Sequence, residues 1–399
     1  MSHTKKKYLI YISFSILFLV FAFKFAYIPI KSIFDNEDKL IAECKAKNDQ
    51  LCYKNLIMSV FEKKGLDKSL DLVTKIYAQD SSFSSTCHDI GHLLGASTFK
   101  LFRSGQDFKI NSKVAFCSYG FYHGFMEELA SEGDVKKARD FCKYVDDQIS
   151  KETPDATLQC FHGIGHGWVN IHGDKTLIGD DLGIVKKGLS LCEKVSSTDS
   201  ELSRCATGVF NGIAIFYESG QYDLKVNTKD PMWVCKKIDK KFEDPCYISM
   251  NTILFSITNQ DFLAAARYIE KIENDTVAAH AMINLSLPFS LAEMNSKDHT
   301  NSINVCRSLQ DRLVVPCLQG FAFAFMEHGE PGREYVNAVG FCKNNGLDNN
   351  EKTGCLSYIY GYLAQWYPKE KAYSICESEG NTKDQCIKGV EMGLSGLSK

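Results

Sequence analysis

The chain opens with an apolar segment unlike anything that follows it. Three lysines at positions 5–7 precede an apolar run from Tyr8 to Ile30, in which Lys24 lies near the far end. At about 1.5 Å per residue, a helix of this length spans the ~30 Å hydrocarbon core of a bilayer. The run predicts a transmembrane signal-anchor within residues 1–31, with the lysines in the cytoplasm. A cleaved signal peptide, which would give a secreted protein, is the alternative.

Residues 32–399 follow a helical period that restarts at intervals. Val135, Ala138 and Cys142 lie on one face of a predicted helix; a polar loop follows, and Cys160 opens a second, small-residue helix. Such helix-opening cysteines recur mostly 31 to 45 residues apart, the spacing of a helix–loop–helix repeat. We therefore predict an all-α, solenoid-like domain of about eight stacked helical hairpins outside the cytoplasm.

The chain has 16 cysteines, an even count and a high one for a cytosolic protein. The count indicates either metal binding or folding in an oxidising compartment, the periplasm or the cell exterior. Their spacing predicts a disulfide across each hairpin loop, worth about 3 kcal/mol for a 15-residue loop. The predicted local pairs are Cys44–Cys52, Cys142–Cys160, Cys192–Cys205, Cys235–Cys246, Cys306–Cys317, Cys342–Cys355 and Cys376–Cys386.

Two places depart from this spacing. Cys87 and Cys117 both open helices of the second kind, so a bridge between them would tie neighbouring units together. The alternative is that one or both are free thiolates near a metal. The long interval between two opening cysteines, 246 to 317, fits one unit without cysteine. Its first helix is expected over Asp261 to Ile272 and its second from about Val277.

Histidine is concentrated in the subregion 84–172, which holds six of the 10 histidines. This is also where Cys87 and Cys117 depart from the regular cysteine spacing. Residues four apart on a helix lie one above the other, and this spacing occurs three times. His123 and His166 each stand six residues after an opening cysteine, so they should face the same groove in adjacent units. The three pairs are His88 with His92, His123 with Glu127, and His162 with His166.

Imidazole and carboxylate groups are ligands of Zn, Fe, Cu and Mn. We therefore predict a transition-metal site in which Glu127 bridges two ions or acts as a catalytic proton acceptor, with Glu128 as a substitute carboxylate. A haem held by two imidazoles and a set of hydrogen-bonded histidines without metal are the alternatives. The predicted metal ligands are His88, His92, His123, Glu127, His162 and His166.

Other residues near the cluster carry weaker signals. The segment from His88 to His92 has the spacing of a zinc-protease helix, but Asp89 stands where Glu is needed and is one methylene too short. Asn211 occupies the slot of His123 in a later unit and could add an oxygen at the edge of the site. His172, His280, His299 and His328 are predicted to be ordinary loop or surface residues.

Charge and motif content limit the classes of function. The chain has 46 Lys+Arg against 49 Asp+Glu, and this near balance excludes a surface built to wrap nucleic acid. Phosphate-binding, nucleophile-elbow and dinucleotide motifs are absent from the sequence. The sequence thus favours a membrane-anchored extracytoplasmic metalloprotein, which would be an oxidative or hydrolytic enzyme if its metal is catalytic. The alternatives are a scaffold that binds a protein or peptide in its groove and a metal carrier.

Overall fold

The computed structural model describes residues 37–47, 49–106, 108–171, 175–290, 298–330 and 332–397. Throughout these ranges the regular structure is helical, which confirms the all-α prediction. The predicted anchor, Tyr8 to Ile30, lies outside them, and none of the described helices has the length and apolarity needed to cross a bilayer.

The chain divides into two compact units, residues 1–60 and residues 61–399. In the described part of the first unit, helix α1 (Glu37–Lys47) is followed by the start of α2 (Gln50–Lys64). The Cys44–Cys52 disulfide links the two, and Asp49 accepts a hydrogen bond from the Cys52 backbone N–H at the start of α2.

The second unit is built from long helices that alternate with shorter or more polar ones. The cysteine-free unit is present where expected, although its first helix ends at Ile269 instead of Ile272. The described helices are α3 (Leu66–Gln79), α4 (Ser84–Arg103), α5 (Gly120–Ser131), α6 (Val135–Ile149), α7 (Ala156–Ile171), α8 (Asp181–Val195), α9 (Asp199–Ser219), α10 (Glu243–Met250), α11 (Thr252–Ile257), α12 (Phe262–Ile269), α13 (Asp275–Ser290), α14 (Thr300–Arg307), α15 (Asp311–His328), α16 (Tyr335–Cys342), α17 (Asn349–Trp366), α18 (Lys369–Glu377) and α19 (Lys383–Leu397).

The long helices form a continuous inner row. Helix α4 packs on α5, α5 on α7, α7 on α9, and the row continues through α10, α13, α15 and α17 to α19. The shorter helices α6, α8, α12, α14, α16 and α18 each pack on the inner helix that follows them in the chain. Each hairpin therefore contributes one helix to the row and one to its outside.

All eight predicted disulfides are formed, including the bridge between Cys87 and Cys117, so all sixteen cysteines are paired. Six of the hairpin bridges in the second unit join the end of one element to the opening of the next inner helix, as in Cys142–Cys160. The Cys87–Cys117 bridge differs because it ties two inner helices together, and it holds the opening of α5 against α4.

Glycines at fixed positions bring the inner helices into backbone contact. Gly120 and Gly124, the third and seventh residues after Cys117, lie against the carbonyl oxygens of His88 and His92. A Cβ atom at either glycine would overlap those oxygens. Gly208 meets the carbonyl of His162 in the same way. Because only glycine permits this approach, the side chains beside these glycines on neighbouring helices are forced close together.

The inner row curves until its later helices return to its earlier ones, so the row closes into a ring. The Ser118 hydroxyl, before α5, donates to the Glu327 carbonyl at the end of α15 over 3.2 Å. The Asp155 backbone N–H, before α7, donates to the Gln365 carbonyl at the end of α17, also over 3.2 Å. The ring surrounds a central cavity of about 750 Å³.

Candidate metal centre

Three histidine nitrogens from two inner helices converge on the wall of the central cavity. His92 Nε2 lies 3.2 Å from His88 Nε2, and it lies the same distance from His123 Nδ1. The ligand nitrogens of all three residues lie within 4.8 Å of one another. Helix α4 supplies the first two one turn apart, and α5 supplies the third beside them.

The backbone contact between α4 and α5 explains this convergence. Gly120 faces the His88 carbonyl and Gly124 faces the His92 carbonyl, so the two helices run parallel, in register and unusually close. His123 lies between the two glycines on the edge that borders the cavity. Its ring is in edge-to-face contact with both α4 imidazoles, at centroid distances of 5.2 Å and 5.0 Å.

The spacing of the nitrogens matches that of ligands around one ion. Zinc–imidazole distances of about 2.0–2.1 Å place two nitrogens about 3.3 Å apart in a tetrahedral arrangement. The two measured contacts, from His92 Nε2 to His88 Nε2 and to His123 Nδ1, are 3.2 Å each. The two contacts of His92 Nε2 therefore fit a shared cation, and all three ligand nitrogens lie within 4.8 Å of one another.

The second ring nitrogen of each α4 histidine faces an acceptor. His88 Nδ1 lies 3.0 Å from the Cys117 carbonyl oxygen, and His92 Nδ1 lies 3.8 Å from Glu127 Oε2. The Cys117 carbonyl can only accept, so it holds the proton of the neutral His88 ring on Nδ1 and leaves a lone pair on His88 Nε2. The 3.8 Å contact of His92 Nδ1 with Glu127 is too long to fix the tautomer of His92. Metal-binding histidines are oriented by such partners in the same way.

Burial keeps the imidazoles of His88 and His123 in the neutral form that binds metals. Desolvation lowers the pKa of His88 and lowers that of His123 well below its usual range, and the neighbouring imidazoles lower both further. Burial by itself would raise the pKa of Glu127. Hydrogen bonds with His166 and His92 outweigh burial and hold the Glu127 pKa well below the usual range, so this carboxylate is ionised.

The structure brings His166 and Glu127 together behind the three converging nitrogens. His166 Nδ1 lies 3.1 Å from Glu127 Oε1, and the His166 ring stacks on His123 with centroids 4.9 Å apart. The predicted proximity of His123 and His166 is thus confirmed. Glu127 contacts the histidines through their Nδ1 atoms, so its position is that of a supporting group instead of a bridging ligand.

His162 lines the same cavity but makes a different contact. Its Nδ1 lies 2.8 Å from the Thr207 hydroxyl, which itself donates to the Arg204 carbonyl over 2.6 Å. The hydroxyl proton is therefore used, so His162 donates from Nδ1 and keeps a lone pair on Nε2. Burial, reinforced by His166, lowers the pKa of His162 well below its usual range.

The remaining sequence predictions have varied outcomes. Asn211 lines the cavity, as the repeat position suggested, whereas Glu128 is not among its lining residues. His280 pairs with Asp244 at 2.9 Å, and His172 lies outside the described residues. His299 packs its ring on Phe341 at 5.2 Å. His328 is half-buried beside Glu327, and burial lowers its pKa to about 4.

Sequence reasoning missed the far wall of the cavity, which includes Arg204, Glu327, Tyr358, Tyr362 and Trp366. One signal was present in the sequence. Six residues recur 200 positions apart at matching places in α5 and α15, following the pattern Cys-x-x-Gly-Phe-x-x-x-Phe-Met-Glu from Cys117 and from Cys317. The final glutamates of the two copies are Glu127 and Glu327, and both face the cavity.

Comparison of the chain with protein-family models, with curated proteins and with solved structures finds no match. The site is therefore interpreted from its own geometry and chemistry.

Proposed function

We propose that this protein is a metal-dependent enzyme of an extracytoplasmic compartment. His88, His92 and His123 bind one transition-metal ion through Nε2, Nε2 and Nδ1. The observation that carries the proposal is the convergence of the three nitrogens at 3.2 Å contacts. It is supported by the Cys117 carbonyl behind the His88 ring, which leaves His88 Nε2 unprotonated, and by the Glu127 carboxylate 3.8 Å from His92 Nδ1.

Three imidazoles leave a coordination position open toward the cavity, which distinguishes a catalytic ion from a structural one. An ion bound there lowers the pKa of a coordinated water. Glu127 is ionised, lies 3.1 Å from His166 Nδ1 and lines the cavity with its side chain 30% exposed, so it would orient the His92 and His166 rings beside such an ion. We therefore favour hydrolysis or hydration over oxidation, since a carboxylate ligand of the kind found in non-haem iron oxygenases is not part of the converging set.

A bare ion suits this site better than haem. The rings of His88 and His123 are already in edge-to-face contact, and their helices touch through Gly120. A porphyrin between these imidazoles would have to separate helices that are in backbone contact. Zn, Fe, Cu and Mn all remain compatible with three imidazoles.

The compartment follows from the disulfides. Eight bridges are typical of proteins that fold in an oxidising, extracytoplasmic environment. We further propose that the segment from Tyr8 to Ile30 anchors the protein to the membrane with the helical ring outside the cytoplasm. A closed ring around a central cavity favours a small-molecule substrate over the peptide partner that an open groove would accept.

Metal analysis of the purified protein tests this proposal. Wild type should contain close to one transition-metal ion per chain, and His92→Ala or His123→Ala should lose it. His280→Ala is the matched control, because that histidine pairs with Asp244 away from the cavity and should leave the metal content unchanged. Metal-free wild type after loading with Zn²⁺, Mn²⁺, Fe²⁺ or Cu²⁺, or equal metal content in all variants, would contradict it.

A further inference from the structure

The cavity wall formed by α15 and α17 carries a stripe of aromatic side chains. Tyr358, Tyr362 and Trp366 lie at successive turns of α17, and all three line the cavity. Phe323 of α15 packs beside them, with ring centroids 4.4 Å from Tyr362 and 6.0 Å from Trp366. We call these four residues the aromatic wall. Tyr358, Tyr362 and Trp366 are half-buried, whereas Phe323 is only 8% exposed, so the first three form the surface on which a ring can stack.

The cavity walls formed by α9, α13 and the segment around α10 and α11 are more polar. Short amides and hydroxyls, which both donate and accept hydrogen bonds, lie there among Ile215, Ile248, Leu287 and Pro288. A ligand that spans the cavity would therefore meet aromatic rings on one side and a mixture of neutral polar and aliphatic groups on the other. The polar residues that line these walls include Ser203, Thr207, Asn211, Ser249, Asn251 and Asn284.

The charged groups near the aromatic wall largely compensate one another. Arg204 donates to the Asp155 carboxylate over 3.0 Å, so its positive charge has a buried partner. Glu327 faces the same region. Burial raises its pKa to about 7, Arg204 partly offsets this, and Asp155 adds to it. A free anion would gain little beside Arg204, whereas a hydroxyl can accept from Arg204 and exchange hydrogen bonds with Glu327.

The repeated sequence motif shows that residues of the aromatic wall and of the candidate metal centre occupy equivalent positions in two helices. Phe323 occupies in α15 the position that His123 occupies in α5, and Glu327 occupies the position of Glu127. The first copy thus contributes a metal ligand and a supporting carboxylate. The second copy contributes a stacking ring and a carboxyl group to the same cavity.

We propose that the aromatic wall is the substrate subsite and that the substrate is a neutral, polyhydroxylated ring compound, that is, a saccharide. One face of a sugar ring presents C–H groups that stack on aromatic rings, and its hydroxyls suit the paired and neutral polar groups of the other walls. A cavity of about 750 Å³ lies in the size range of small-molecule sites. This assignment rests on the proposed function, since it names the substrate class of the same cavity.

Saturation-transfer NMR on the metal-loaded full chain tests the proposal with neutral disaccharides as probes, namely maltose, cellobiose, lactose and sucrose. Benzoate and inorganic phosphate represent an aromatic anion and a simple anion. At least one disaccharide should bind in preference to both anions. Trp366→Leu and Tyr362→Leu should each weaken that binding at least tenfold. Tyr268→Leu is the matched control, because this tyrosine lies on α12 and bonds the Thr228 carbonyl outside the cavity.

Metal content and thermal unfolding are measured on every variant, so that loss of fold or of metal is distinguished from loss of the subsite. Tyr362→Phe, which keeps the stacking ring, should retain most of the binding if the leucine variant proves unstable. Sugar binding that is lost at Trp366→Leu while metal is retained supports the subsite. No binding of any disaccharide, preferential binding of benzoate or phosphate, or equal binding by the wall variants and Tyr268→Leu would each overturn it.

Discussion

Helices α5 and α15 start from the same residues and end with different chemistry. Both contain a cysteine, a close-packing glycine and a glutamate at matching positions, and both point that glutamate into one cavity. Between these positions α5 has His123 and Gly124, whereas α15 has Phe323 and Ala324. The comparison teaches that the repeat fixes where the side chains lie. A few substitutions then decide whether those side chains can bind a metal or stack on a ring.

The neighbours of the two helices differ as well. Gly120 of α5 lies against the His88 carbonyl of α4, and Gly320 of α15 lies in the same manner against the Ile283 carbonyl of α13. Helix α4 presents two imidazoles beside that contact, while α13 presents Asn284 to the cavity. A metal site therefore needs histidines on both members of a contacting pair.

Exchanging the ligand position between the copies should have the largest effect. His123→Phe gives α5 the residue of α15 and removes one of three ligands, so we expect the affinity for metal to fall at least a hundredfold, or more than about 2.7 kcal/mol. Isothermal titration calorimetry with Zn²⁺ measures this change.

The reverse exchange, Phe323→His, should not create a second metal site, because α13 offers no histidine at the contact. Metal content that rises to two ions per chain in Phe323→His, or that persists in His123→Phe, would show that the neighbouring helix does not decide ligation.

Exchanging the small residues should test how closely the two pairs of helices approach. Gly124→Ala places a methyl group on the His92 carbonyl oxygen, and we expect a loss of about 3 kcal/mol in unfolding free energy. Ala324→Gly, in the matching place of α15, should cost only about 1 kcal/mol through helix propensity. Urea denaturation under non-reducing conditions measures both.

Gly340→Ala provides the control for the helix-propensity term, because nothing lies within 4 Å of an added methyl group on α16. We expect it to stabilise the protein by up to about 1 kcal/mol. Equal destabilisation by Gly124→Ala and Gly340→Ala would mean that the close contact of α4 with α5 does not limit the fold.

Neutralising the two matching glutamates should separate their roles. Glu127→Gln removes the ionised partner of His92 and His166, so we expect a tenfold to hundredfold loss of metal affinity. Glu327→Gln should change metal affinity by less than about threefold, because its carboxyl group is not among the contacts of the ligand histidines. Titration with Zn²⁺ in the presence of a competing chelator resolves these changes.

Glu127 and Glu327 should also differ in how they make the stability of the protein depend on pH. The pKa of Glu327 is raised from 4.5 to about 7, so its contribution is fully present below pH 4.5 and is lost as pH rises through 7. Glu327→Gln should therefore match wild type near pH 4.5 and gain at most about 3 kcal/mol at pH 8. Thermal unfolding at both pH values checks the sign. If Glu327→Gln is less stable than wild type at pH 8, the raised pKa of Glu327 is contradicted.

Much of the scaffold follows from local sequence. The cysteine spacing was sufficient for the seven local bridges, because a bridge across a hairpin loop depends only on the two elements that flank it. The position six residues after the opening cysteine placed His123 beside His166, since equivalent positions in adjacent repeats share a surface. Both predictions concern neighbours in the chain or in the row.

Two features could not be predicted in this way. They are the closure of the ring and the separation of the three converging histidines from His162. Closure results from small rotations summed over many hairpins, which residue patterns do not report. The separation of His88, His92 and His123 from His162 depends on side-chain rotamers and on the Thr207 hydroxyl, one helix away. Tyr362 looks like a core residue in sequence, because an aromatic side chain that borders a cavity follows the same helical period as a buried one.

The contacts that close the ring also bear on the order in which the helices assemble. Ser118 and Glu327 are 209 residues apart in the chain, so their hydrogen bond forms only after both α5 and α15 have been synthesised. Helices α4 to α9 pack neighbour to neighbour and assemble early, whereas pairings between distant segments form slowly. During synthesis the metal histidines thus exist for a time on an open arc, and the arrival of α15 and α17 encloses them.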